Sequence, residues 1–212
     1  MKRSKKEIYL KEWLLSCVVF LMAFVVLGVR YALYRDITPL LIVQILGSGL
    51  ICFILPVLKV LLPKIDIPNS INFLIALNII LAMYIGNAMK VYNYLSWWDT
   101  FVHGFFGVIC TYSLFAIFKD YRISASVFYL LSALGLGAVW EIFEYSCDVI
   151  MGSDVQRVQE SLDNHKLPQA DTMEDLIITL ITAFLTVVVV LSIRRFRSQR
   201  ALRVARREEE IK

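Results

Sequence analysis

Apolar positions along this chain keep neither the two-residue nor the 3.6-residue rhythm of a half-exposed element. They come in runs of about 20 residues, the length a helix needs to cross a bilayer. Six such runs stand out, at about 13–29, 38–62, 70–89, 98–118, 125–148 and 173–193. The polar connections between them are short, apart from the stretch from Ile150 to Thr172. None can hold a soluble domain. The whole chain, 1–212, therefore reads as a single all-α domain, a polytopic membrane protein of six transmembrane helices. Pro56 interrupts the longest run and predicts a kink or tilt there. Lys2, Arg3, Lys5 and Lys6 precede the first run as they would in a signal peptide. That run is too long for an h-region and lacks a small-x-small cleavage site, so it reads as a retained first helix.

The polar exceptions to the pattern carry the chemistry. Asp99 and His103 sit one turn apart inside the fourth run, Glu141, Glu144 and Asp148 close the fifth, and Asp171, Glu174 and Asp175 open the sixth. An ionisable group at membrane depth costs roughly 2.5–3.5 kcal/mol on insertion scales, so its presence asks for a use. At about 1.5 Å of rise per residue, Asp99 lies roughly 3 Å and His103 roughly 9 Å below one boundary. On the same count Asp148, Glu144 and Glu141 lie about 4–5, 10 and 15 Å deep. All fall in the same half of the bilayer. Glu141, Glu144 and Asp148 are spaced i, i+3, i+7 and so form one stripe, while Asp99 shares a face with His103 and Asp171 with Asp175. Gln44 and Asn87 reach the same layer, and Gly104, Gly107, Gly135 and Gly137 would let the fourth and fifth helices approach closely.

Charge supplies the orientation. With the N-terminus in the cytoplasm, the inner side takes most of the 22 basic residues, including the tail 194–212, and leaves Arg30, Arg35, Lys90, Arg157 and Lys166 outside. Both termini are then cytoplasmic and the acidic groups face outward. The net charge of +4 and the 58% hydrophobic content do not point to nucleic acid. The Arg-rich tail reads as a topology anchor touching anionic lipid headgroups, or as a docking site for another protein. Cys17, Cys52, Cys110 and Cys147 form no Cys-x-x-Cys pair and read as small packing residues.

Converging carboxylates and one imidazole suit a divalent metal ion, with Asp99, His103, Glu141 and Asp175 as ligands. Glu144, in apolar surroundings, would be the general base. Arg30 or Arg35 would hold an anionic headgroup, with Gln156 and Gln159 as further contacts. Plainer readings exist for several of these. Asp171, Glu174 and Asp175 can complement the helix dipole with Asp171 as N-cap. Asp148 can be an interfacial residue, and His103 an interhelical hydrogen-bonder. Glu141 and Glu144 resist such readings, because no basic residue lies in any span at their depth.

Trp98-Asp99-x3-His103-x3-Gly107, Trp140-Glu141-x2-Glu144 and Asp171-Thr172-x2-Asp175-Leu176 occur in that order. Together they resemble the YjdF-like multi-pass inner-membrane proteins of bacteria and, more distantly, the VanZ-like proteins. The resemblance covers about residues 97–190. VanZ-like proteins tend to have Gln where this chain has Glu144, and an Arg shortly before the last Asp motif. The resemblance implies a bacterial cytoplasmic membrane location and the site's position, and no particular activity.

The chemistry expected is a metal-dependent hydrolase or transferase acting on a lipid-linked cell-envelope intermediate at the outer leaflet. No G-x-S-x-G nucleophile motif is present. The rivals are a cation or proton-coupled transporter and a non-enzymatic accessory membrane protein. No internal repeat and no polar set in the inner half of the spans support transport.

Overall fold

The structure, a computed structural model, describes residues 5–210. Lys2, Arg3 and Lys212, used above for orientation, lie outside the described residues. Six helices are long and apolar enough to cross a membrane: Leu10–Tyr34, Pro39–Leu61, Asn69–Ala88, Trp98–Phe118, Ile123–Met151 and Ala170–Val204. These are the six runs read from the sequence: the second, third and fourth agree within one residue at each end, and the first, fifth and sixth are longer, the sixth by 11 residues at its C-terminal end. No strand occurs among the described residues. Leu21, Phe24, Val25, Ile142 and Phe184 are among many large apolar side chains left exposed. That pattern marks a surface whose solvent is lipid.

Two groups of helices make up the bundle. In the first, α1 (Lys5–Tyr34), α2 (Pro39–Ile51), α3 (Ile54–Leu61), α4 (Asn69–Ile79) and a π-helical segment (Ile80–Ala88) enclose Val19, Ala23, Ile45, Cys52, Ala76 and Tyr84. In the second, α6 (Trp98–Phe118), α7 (Ile123–Met151) and α9 (Ala170–Glu210) pack on one another, and α6 joins the groups by touching α4 and the π-helical segment. Two short helices, α5 (Val91–Tyr94) and α8 (Val158–Asp163), lie in the connections. The basic tail is no separate arm: α9 continues through it to Glu210, as its Ala, Arg, Leu and Glu content favours.

The expected kink falls one turn before Pro56, at Cys52–Phe53, where α2 and α3 separate. Proline has no N–H, and its ring crowds the carbonyl four residues earlier, which here belongs to Cys52. That carbonyl instead accepts a hydrogen bond from Ser16 Oγ at 2.7 Å. The break in α2–α3 thereby becomes a tie to α1. Nothing in the sequence reading anticipated the π-helical turn. Its Leu81 carbonyl accepts from Trp98 Nε1 at 3.2 Å, and Ala88 O accepts from Arg30 at 2.8 Å.

The glycines act on a different helix from the one expected. A Cβ on Gly107 would lie 2.4 Å from Thr182 Oγ1 and 2.6 Å from the Thr179 carbonyl. Gly137 likewise faces Thr179, and nothing lies within 4 Å of a Cβ at Gly135. Small residues on α6 and α7 therefore admit α9, rather than drawing α6 to α7. Thr179 Oγ1 also donates to the His103 carbonyl at 3.3 Å.

A second correction concerns the end of the bundle where α1 begins and α3 ends. Lys59, one of the basic residues that the orientation places on the inner side, is buried and paired with buried Glu12. Its ammonium also donates to Asn69 Oδ1 at 2.8 Å, and Asn72 and Ser16 are buried beside it. The expectation of no polar set in that half of the spans does not hold.

Candidate functional site

Asp99 lies in the first turn of α6, and His103 follows it at i+4 on the same face. Asp175 faces them from the second turn of α9, buried like His103. His103 Nε2 is 3.7 Å from Asp99 Oδ1 and 3.6 Å from Asp175 Oδ2. One ligand atom from each of the three residues lies within 4.8 Å of the others. These separations are too long for hydrogen bonds. They are close to the ~3.4 Å between two ligand atoms each ~2.1 Å from a tetrahedral ion. The donor set, two carboxylates and an imidazole, therefore fits a divalent cation in chemistry and in spacing.

Glu141 stands elsewhere around the ring than a fourth ligand would. Its Oε1 is 3.9 Å from His103 Nδ1, on the opposite edge of the imidazole from Asp99 and Asp175. That oxygen is buried and makes no hydrogen bond. A carboxylate behind a metal-binding histidine fixes the ring's tautomer and orientation. Glu141 therefore stands outside the trio of ligand atoms that lie within 4.8 Å of one another, on the other side of the histidine ring. Glu144, one turn further along α7, is half-buried and accepts from Trp140 Nε1 at 2.8 Å. Asp148 completes the stripe but turns to the connection, where it accepts from Ser153 Oγ at 2.7 Å and from the Gln156 amide at 3.0 Å. It folds the loop that follows.

That loop delivers a residue the sequence reading placed outside but gave no role. Arg157 Nη1 donates to Asp99 Oδ2 at 2.9 Å. Its Nη2 donates to the Tyr92 carbonyl at 3.3 Å, and Glu160 holds the guanidinium from the other side. Burial opposes the Arg157 charge, but Asp99 and Glu160 outweigh it and raise its pKa above the ordinary value. Tyr92, just after the π-helical turn, walls the same space and was also missed. Burial first, then the charges of Asp99, Glu144 and Asp175, push its phenol well above its usual pKa. Gly86 makes room for it, since a Cβ there would lie 2.6 Å from the ring. The only available signal was two loop residues, 58 and 7 positions from Asp99 in the chain, and no periodicity links them.

Gln156 lies beside the start of α9, its Nε2 donating to Thr172 Oγ1 at 2.9 Å. Arg30 and Arg35 do not join it. Arg30 is buried and committed to Asp36 at 2.8 Å and to the Ala88 carbonyl, bracing α1 against the π-helical segment. Arg35 is exposed and stacks on Tyr31. Gln44 and Asn87 satisfy each other at 3.0 Å. Gln159 donates to Asp163 within α8. Glu174 pairs with Lys166 at 2.6 Å on the surface. Asp171 lies inside the first turn of α9, which begins at Ala170, rather than capping it.

A protein family described as "Predicted membrane protein (DUF2238)" matches residues 13–196. No curated protein and no solved structure matches the chain.

Proposed function

The chain belongs to the DUF2238 family of predicted membrane proteins, and from that premise we propose a metal-dependent hydrolase or transferase. Its substrate is a lipid-linked cell-envelope intermediate, met at the outer leaflet of the bacterial cytoplasmic membrane. The observation that carries this reading is the convergence of half-buried Asp99 with buried His103 and Asp175 from two helices. Three protein ligands leave at least one coordination position for water or substrate, the arrangement of catalytic rather than structural sites. A bound divalent ion supplies an acidified water and a Lewis acid for a phosphoryl or acyl oxygen.

The chain's own residues have distinct tasks. Asp99 divides its carboxylate, Oδ1 toward the ion and Oδ2 toward Arg157. Glu141 Oε1 faces His103 Nδ1 at 3.9 Å, which would favour the proton on that nitrogen and leave Nε2 free to bind. Glu144 takes the proton from the attacking water on the oxygen that Trp140 does not hold, as general base. Arg157, with Gln156, takes over the anionic headgroup role first given to Arg30 and Arg35. The one guanidinium N–H that Asp99, Tyr92 and Glu160 leave free would make a charge-assisted contact to a phosphate oxygen.

The cation-transport reading draws support from one observation, the buried Glu12–Lys59 pair at the other end of the bundle. Those residues ride on α1 and α3, whereas the site rides on α6, α7 and α9, so the two clusters belong to different helix groups. The one-sided site is the better account.

Purified protein incubated with polyprenyl phosphate and polyprenyl diphosphate should release phosphate. Glu144→Gln should slow release about 100-fold or more, as loss of a general base does, while Glu174→Gln should not. No release from protein that carries its metal would defeat the enzymatic reading. Cation flux in proteoliposomes abolished by Glu144→Gln would replace it with transport.

A further inference from the structure

The end of the bundle opposite Asp99 holds a second polar feature, built independently of the first. The α6–α7 turn and the middle of α9 border a shallow, open cavity of about 540 Å³ lined by Asp120, Tyr121 and the exposed side chains of Lys119, Arg122, Arg194 and Arg195, among others. Two of the four cations, Lys119 and Arg122, pair with Asp66 and Asp120, which leaves Arg194 and Arg195 as the excess positive charge. The turn is shaped from within: Lys119 reverses the chain at a φ of +53°, and Asp120 accepts from the Arg122 amide at 3.0 Å and from its guanidinium at 2.9 Å. Lys119 is held by Asp66 at 2.7 Å. The Arg194 guanidinium lies 3.7 Å above the Tyr121 ring, an arrangement that fixes its plane while its edge still offers N–H donors.

Position gives this cavity a ligand. Arg194 is the first charge after the long apolar stretch of α9, so the cavity sits at the level where hydrocarbon gives way to headgroups. The N-terminus of α7, 29 residues long, opens at Ile123 beside Arg122. Its unpaired amides and positive dipole end favour an anion there. Basic pockets between membrane helices are suited to phosphate-bearing headgroups. We propose that this cavity is a binding site for the phosphate of an anionic phospholipid, seated between Arg122, Arg194 and Arg195.

The test uses the full chain released from micelles containing equal amounts of phosphatidylglycerol and phosphatidylcholine, with the retained lipids counted by native mass spectrometry. Wild-type protein should retain phosphatidylglycerol selectively. Arg194→Gln with Arg195→Gln should cut that selectivity about 30-fold, the effect of two arginines near a lipid surface. Arg200→Gln with Arg203→Gln removes the same charge from the exposed helix beyond the cavity and should leave selectivity intact. Arg194→Lys with Arg195→Lys should keep most of it, which shows that a loss in the glutamine variant is not misfolding. Equal losses in the two glutamine pairs, or no loss in either, would overturn the proposal. So would calorimetric binding of inorganic phosphate by a protein with no preference between the lipids.

Discussion

Single residues here are judged by what their charge touches. Arg30 and Arg157 look alike in the sequence, basic residues at the same end of the bundle, yet only Arg157 reaches Asp99. Arg157→Gln should therefore impair turnover of an anionic substrate, seen as a raised KM for polyprenyl phosphates, whereas Arg30→Gln should lower thermal stability and leave KM unchanged. The Glu12–Lys59 pair makes a different prediction. Removing one partner strands a buried charge at a cost of about 3–5 kcal/mol, while replacing both by apolar groups of similar size is close to neutral. Thermal unfolding in detergent should accordingly show Lys59→Met strongly destabilised and Glu12→Leu with Lys59→Met largely restored. At the α1–α2 turn the sign depends on pH. The Lys90 hydrogen bond first, and the Arg30 charge behind it, hold Asp36 below the ordinary value of 3.8. Its contribution is complete above that value and is lost as pH falls through the lower folded value. Asp36→Asn should be less stable than wild type at pH 7, and the gap should close under acid.

At the scale of elements, α9 is the helix on which the site depends. It enters the groove that Gly104, Gly107 and Gly137 leave open, and it carries Asp175 to His103. Gly107→Val should wedge α6 from α9 against Thr179 and Thr182, costing about 1–3 kcal/mol by overpacking and lowering metal content with it. Gly135→Ala, with nothing within 4 Å of the new Cβ, should change neither; unfolding temperatures and metal analysis of the two variants decide this. Much of this level was legible beforehand. The six spans, and the shared depth of Asp99, His103, Glu141 and Asp175, follow from apolar runs and a fixed rise per residue. What stayed hidden was angular and long-range. A period of 3.6 says which residues share a face but not which neighbour that face meets, so the glycines were assigned to the wrong partner. For the same reason the pattern does not show that Glu141 faces the other ring nitrogen of His103 from Asp99 and Asp175. The π-helical turn and the strap bearing Arg157 depend on tertiary hydrogen bonds that leave no periodic trace.

For the molecule as a whole, two polar clusters lie at opposite ends of one apolar slab. The acidic site and its arginine strap occupy one end, and the basic cavity the other. The positive-inside distribution then predicts the sidedness. A cysteine introduced at Asn164 should be labelled by an impermeant thiol reagent in intact cells, and one at Ser198 only after lysis. The reverse pattern would put the site in the cytoplasm and end any outer-leaflet substrate. The family match spans both helix groups, from 13 to 196, so the architecture that brings the ends together belongs to the family and not to the second group alone.

All of the proposed chemistry requires that Asp99, His103 and Asp175 hold an ion. Elemental analysis of the purified wild-type protein beside His103→Ala, Asp175→Asn and the surface control Glu174→Gln tests that requirement directly. About one divalent metal per chain in the wild type and the control, and almost none in the two site variants, is the predicted result. Equal metal in all four proteins, or none in any after metal-supplemented growth and reloading, would contradict it.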